Sequence, residues 1–214
     1  MGPPLFFVNC SARQRASSGN FRIDVRGSAD LKPVEATQGD LSLEWYYNRK
    51  SMLSGAVFWK DIKHFVTYAV DDNQDIGVPG YLYDVSHPIN GDKAQVMGLE
   101  LGLQHLWDNG FGVNLKYTAT DTRAYVGGVH VGQLEGVSRS ALSAALLYED
   151  DKINAQIAVD HNGRYTEALD TVGGYTRYGE PLTWVTASLA YNLTPDVTLF
   201  FEGKNLTDAF YRAN

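Results

Sequence analysis

Between Asp40 and Leu206 the chain repeats one pattern eight times, a strand of alternating character, and joins the copies by connections that are short and long in strict alternation. The pattern is plainest in Thr183–Asn205, TWVTASLAYNLTPDVTLFFEGKN. Val185, Ala187, Leu189 and Tyr191 interleave with Thr186, Ser188, Ala190 and Asn192; beyond a Thr194-Pro195-Asp196 turn, Val197, Leu199 and Phe201 interleave with Thr198, Glu202 and Lys204. Successive side chains of a strand point to opposite faces, so period two sets each strand between an apolar medium and a wet one. A soluble sandwich keeps the apolar face indoors, whereas an outer-membrane barrel turns it to lipid and the polar face to a lumen.

The remaining strands are Asp40–Asn48, Met52–His64, Gln95–His105, Phe111–Thr120, Ser140–Tyr148 and Lys152–His161. In Met52–His64 the apolar residues Ala56, Val57, Phe58 and Trp59 are contiguous, and the pattern leaves its faces unassigned. Short turns are expected at Asn48–Ser51, Trp107–Gly110, Glu149–Asp151 and Thr194–Asp196, and long loops at Thr67–Asp92, Arg123–Gly136 and Asn162–Pro181. A soluble meander has no reason to sort its connections by length, but a bacterial barrel does: its periplasmic turns are short and its extracellular loops long. Strands of about 9–13 residues also match a tilted bilayer crossing better than the usual globular strand. Tyr46, Tyr47, Trp107, Phe111, Tyr148 and Tyr191 at the short-turn ends would form an interfacial girdle. On this parity Leu99, Leu101, Val113, Leu115, Ile157, Leu189 and Leu199 face lipid.

Composition narrows the alternatives. With 44% hydrophobic and 12% aromatic residues the chain is too apolar for wholesale disorder. Its 18 basic against 25 acidic residues form no basic stripe, so nucleic acid is not an expected partner. No run reaches the roughly 18 apolar residues of a spanning helix. A mean hydropathy of -0.26 is compatible with a barrel, because half of each strand faces water. The single cysteine, Cys10, allows no intrachain disulfide and no thiolate metal cage, and MGPPLFFVNC lacks the basic start and long apolar run of a secretory signal. His64, His87, His105, His130 and His161 have no metal-ligand spacing, no serine sits in a GxSxG elbow, and no carboxylate pair stands out. No metal site, no cofactor and no enzyme activity is read from the sequence. The candidate ligand contacts are loop residues: Asp71, Asp72, Asp75, Tyr81 and Tyr83 in the first long loop, and Tyr165, Tyr175, Arg177 and Tyr178 in the third. Outward loops carry recognition, and aromatic rings bind sugars or flat chelates.

Several stretches resemble, in consistent order from Asp30 to Arg212, the C-terminal barrel of TonB-dependent outer-membrane receptors. They are Leu31-Lys32-Pro33 with Glu35 ahead of LSLEWYY, AVFWKDIKHFV (Ala56–Val66), VMGLEL (Val96–Leu101), LEGVS (Leu134–Ser138) and VTLFFEGKNL followed by Thr207-Asp208. The resemblance implies an all-β fold, an antiparallel meander making up about eight strands of a transmembrane barrel of about 22, and an open curved sheet for the isolated chain. Residues 1–30, with little periodicity and with Ser, Arg and Gly, read as an irregular N-terminal segment, and the resemblance implies a partial barrel over 31–214 with its final strand missing. It further implies residence in the bacterial outer membrane among its lipids, with a plug domain and the TonB energy-coupling protein as partners of the full-length parent. The function implied is import of a scarce nutrient, a siderophore, cobalamin, haem or carbohydrate. The alternatives are a self-contained eight-stranded outer-membrane barrel with a structural or adhesin role, and a soluble sandwich or lipocalin-like ligand binder.

Overall fold

The computed structural model describes residues 22–169 and 176–213; Cys10 and Tyr175 lie outside them. The main sheet runs β2 (Glu35–Asn48), β3 (Ser51–Lys63), β6 (Lys93–Leu106), β7 (Phe111–Val126), β9 (Ser140–Glu149), β10 (Ile153–Asn162), β13 (Leu182–Thr194) and β14 (Val197–Gly203), every neighbouring pair antiparallel. These are the eight strands of the sequence pattern. The sheet is open, with β2 and β14 as its edges.

Register makes the two faces explicit. One rung reads Trp45, Leu53, Leu103, Leu115, Ala144, Val159, Val185 across seven strands. The adjacent rung, on the other face, reads Glu44, Ser54, Gly102, Lys116, Ser143, Asp160, Trp184. Among the described residues nothing packs on the first face: Leu41 is 73% and Leu43 74% exposed, and Leu101, Leu146 and Ile157 are also open. An apolar surface of that breadth is not sustained in water, and an apolar medium covers it without cost. Leu99, Leu101, Val113, Leu115, Ile157, Leu189 and Leu199 all belong to it.

The register also assigns β3. Val57 sits between Leu41 and Leu99 on the apolar face, and Phe58 between Asp40 and Gly98 on the wet one. Phe58 lies so close over Gly98 that a Cβ there would strike its ring. The contiguous run thus combines an outward alternation with one aromatic that fills space left by a glycine. In the girdle, Trp45, Tyr47, His105 and Trp107 form successive ring contacts and Phe111 meets Tyr148. Tyr46 belongs instead to the opposite face, level with Met52, and its hydroxyl donates to Glu44 at 2.6 Å. Adjacent residues of a strand cannot both join one girdle.

Each short turn is closed by its own side chain. Asn48 Oδ1 accepts from Lys50 N (2.8 Å), Asn109 Oδ1 from Phe111 N (3.2 Å), Asp150 Oδ1 from Lys152 N and Ile153 N (2.8 and 2.7 Å), and Thr194 Oγ1 from Asp196 N (3.3 Å). Asn and Asp stabilise turns by this local bond.

The long connections are more ordered than loops. The first contains β4 (Val66–Gln74) and β5 (Tyr83–Asn90), joined by β1 (Ile23–Val25) as a parallel third strand. The second extends β7 into a hairpin with β8 (Val129–Gly132), and the third pairs β11 (Tyr165–Ala168) with β12 (Arg177–Gly179). The buried apolar cluster lies at this end, not beneath the sheet: Phe65, Ala94, Ala124 and Leu169, flanked by Ile62, Val126, Val131 and Leu134.

Candidate functional site

The three hairpins place the chemistry-bearing loop residues at one end of the sheet. On the first, Asp71 Oδ2 lies 3.6 Å from His87 Nδ1, the Asp72 carbonyl accepts from Gln74 Nε2, and Asp75 Oδ1 accepts from Gly77 N at 2.8 Å. The Arg22 guanidinium sits 3.0 Å above the Tyr81 ring, and its Nη1 donates to the Tyr83 hydroxyl at 3.5 Å. Asp75 therefore shapes a turn, and Tyr81 and Tyr83 form a small cation–aromatic stack.

On the third hairpin, Arg177 Nε is 2.9 Å from Glu167 Oε2, and the Arg164 guanidinium lies 4.1 Å from the Tyr178 ring. The Tyr211 phenol is pushed well above its ordinary value by hydrogen bonds with Tyr165 and then Glu167. This fastens the segment after β14 to β11, and Glu180 N bonding to Arg212 O at 2.9 Å fastens it to the end of β12. The described residues of the two sets belong to separate hairpins, β4–β5 and β11–β12, which lie in different sheets. Among the described ones, Tyr178 alone lines the cleft described next.

That cleft opens where the β7–β9 ladder stops at Ala119 opposite Ser140 and β7, still paired with β6 on its other side, continues toward β8. It measures about 260 Å³ and is lined by Asp121, Arg123, His130, Gln133, Arg139, Thr166, Leu169 and Tyr178 among others. Arg123 Nε is 3.5 Å from Asp121 Oδ2. Arg139 is exposed and has no carboxylate within ion-pair distance among the described residues. A guanidinium with no acid paired to it among the described residues, beside a second guanidinium, an imidazole and a phenol, suits an anion that accepts several hydrogen bonds at once. Arg123, His130 and Arg139 carry no local motif; they are scattered through a low-periodicity stretch and converge only through the fold.

A second hollow of about 550 Å³ lies on the wet face beneath Leu134 and Val137, bordered by Asp40, Phe58, Lys60 and Glu100. It sits below the hairpins, in line with what a lumen would be.

The family model described as TonB dependent receptor-like, beta-barrel matches residues 4–206. Among solved structures, the chain is similar to the ferric-catecholate import receptor Fiu from E. coli K12, at 22% identity and a TM-score of 0.60 over 92% of this chain and 26% of that one. It is similar to the ferric enterobactin receptor PfeA from Pseudomonas aeruginosa at 19% identity and a TM-score of 0.59, covering 86% and 27%. The copper transporter OprC gives 17% identity and a TM-score of 0.63, covering 85% and 28%. The chain thus spans about a quarter of the length of these structures. No curated protein sequence matches it.

Proposed function

The chain belongs to the TonB-dependent receptor-like β-barrel family, and from that premise we propose that it is part of an outer-membrane importer whose substrate is an anionic metal chelate of the siderophore class. The observation that carries this is the cleft between the second and third hairpins, with Arg139 free of any acid among the described residues and Arg123, His130 and Tyr178 beside it. A neutral carbohydrate gains little from guanidinium groups, whereas a chelate with ionised catechol or carboxylate oxygens gains charge-assisted bonds. The similarity to receptors for ferric enterobactin and ferric catecholates supports the same class.

In this reading the apolar face meets outer-membrane lipid, the short turns lie on the periplasmic side, and the three hairpins lie outside. The hollow beneath Leu134 is part of the path inward, gated by a plug and energised through TonB in the full-length protein. The open β2 and β14 edges favour this over a self-closed small barrel, since bilayer cannot satisfy unpaired strand edges.

The test is uptake of radioactive iron, presented as a ferric catecholate, by iron-starved cells carrying the full-length protein. R139A should reduce uptake roughly tenfold, the scale of one hydrogen bond to a charged group, with normal amounts of receptor in the membrane. Unchanged iron uptake, or a matching loss for a neutral carbohydrate, overturns the reading.

A further inference from the structure

The three hairpins leave the sheet at three separate points of the sequence, yet one carboxylate touches all of them. Glu135 belongs to the second. Its Oε1 accepts from the Thr67 hydroxyl of the first at 3.2 Å and from the Leu169 backbone N–H at the end of β11, in the third, at 2.7 Å. Both partners are buried, Thr67 to 1% and Leu169 to 5% exposure. The neighbours of Glu135 continue the junction: Gly136 N donates to Thr166 O at 2.8 Å, and Leu134 N to Thr122 Oγ1 at 3.0 Å. Leu169 also packs in the apolar cluster with Phe65, which directly precedes β4.

We propose that Glu135 is a positioning residue that makes the three hairpins one mechanical body, so that a ligand seated between the second and third hairpins is felt by the first. This rests on the proposal that the cleft is the ligand site. Thr166 and Leu169, two of the cleft's own walls, are held by Glu135 and its neighbour Gly136. The same carboxylate oxygen holds Thr67 on the hairpin that carries Asp71, Tyr81 and Tyr83. A buried hydroxyl and a buried amide sharing one acceptor leave no intermediate arrangement: if Oε1 moves away from one partner, the other loses its geometry too. The first hairpin has no comparable tie to the cleft by strand pairing, because β4 and β5 pair only with each other and β1. Asp92, after β5, does bond to the second hairpin, its N–H donating to Tyr125 O at 2.9 Å and its Oδ2 accepting from Gly128 N at 2.6 Å, but the hydrogen-bonded link that runs on to Leu169 of the third is the Glu135 side chain.

The experiment is amide hydrogen exchange on the full-length receptor in lipid vesicles, with E135A, E135Q and T67V. E135A should speed exchange at the Leu169 amide and along β4 and β5, leaving Leu99–Leu103 and Val113–Tyr117 protected as before. E135Q keeps an acceptor at Oε1 and should retain most of the protection, separating the hydrogen bonds from the charge. T67V, a change on the first hairpin alone, should raise exchange at Leu169 on the third, and should add nothing in the E135A background. With a ferric tris-catecholate as probe, E135A should weaken binding roughly tenfold and E135Q far less. Unchanged exchange at Leu169 in both E135A and T67V sinks the proposal. A wild-type receptor that shows this coupling but does not bind the probe overturns the ligand assignment instead, because the exchange measurements need no ligand.

Discussion

The hydroxyl of Tyr47 and Nδ1 of His105 lie 2.8 Å apart, with the two rings stacked at 5.8 Å and an interplanar angle of 10°. They come from the ends of β2 and β6, strands that pair with β3 and not with each other, so the contact reaches over the β3 turn. Trp45 and Trp107 flank the pair. Rings with one apolar body and one polar tip are the residues that settle at a membrane–water boundary. Y47F and H105A should each cost about 0.5–1.5 kcal/mol in lipid, toward the lower end because the site is exposed. Urea unfolding in vesicles, run as a double-mutant cycle, checks this; additive losses would show that the two side chains do not interact.

The apolar face makes a sharper demand. Leu115 and Ile157 sit near the middle of their strands on that face, and Asn114 and Gln156 on the other. L115R or I157R should cost about 2–4 kcal/mol when the full-length protein folds into a bilayer, with N114R and Q156R costing far less. The reverse order would exchange lipid and lumen.

Asp150 supplies a pH prediction at the β9–β10 turn. Its carboxyl is held below the ordinary value by the backbone N–H groups of Lys152 and Ile153 and then by the Tyr148 hydroxyl. A carboxyl depressed in the folded state stabilises above its unfolded value, and that contribution disappears as pH falls through the folded value. Acid should therefore loosen this turn first. D150N should flatten the acid limb of a stability–pH curve; an unchanged limb removes Asp150 from the account.

Gly110 closes the β7 turn at a φ of +88°. Its carbonyl accepts from Glu149 N at 2.8 Å, and a Cβ at this position would run into the Glu149 carbonyl. G110A combines left-handed strain with that clash and should cost about 1–3 kcal/mol. Heat-modifiable migration on a gel reads the lost folded form, and a variant as stable as wild type would mean that the turn reshapes freely.

Topology can be read directly. An epitope tag within 162–181 of the full-length protein should be reached by antibody on intact cells, and a tag between Arg49 and Lys50 only after permeabilisation. The opposite pattern inverts the orientation.

The eight strands were legible because each crosses between two media, and a two-sided environment writes itself into the residues at period two. Where a strand leaves that environment the record stops. Val66–Gln74, VTYAVDDNQ, and Tyr83–Asn90, YDVSHPIN, pair with each other, but each buries a single residue, Thr67 and Val85, so no continuous apolar face imposes alternation. Pro88 and the run of acids read as loop for the same reason. Tyr178 was found because an aromatic in a long connection is conspicuous on its own. Glu135 was not, since its partners Thr67 and Leu169 lie 68 and 34 residues away and only the folded chain brings them near; Arg139 was not, since no local motif marks it and only the fold gathers Arg123, His130 and Tyr178 around one cleft with it.

Asn48, Asn109, Asp150 and Thr194 each bend back to bind the backbone of their own turn. A rim built this way is low, and much of its hydrogen-bonding capacity is spent locally. In the proposed topology such a rim offers a periplasmic protein no projecting loop to grasp. Under the proposed function, a partner that does work on the receptor would have to draw on some other segment, with this wall as the fixed frame.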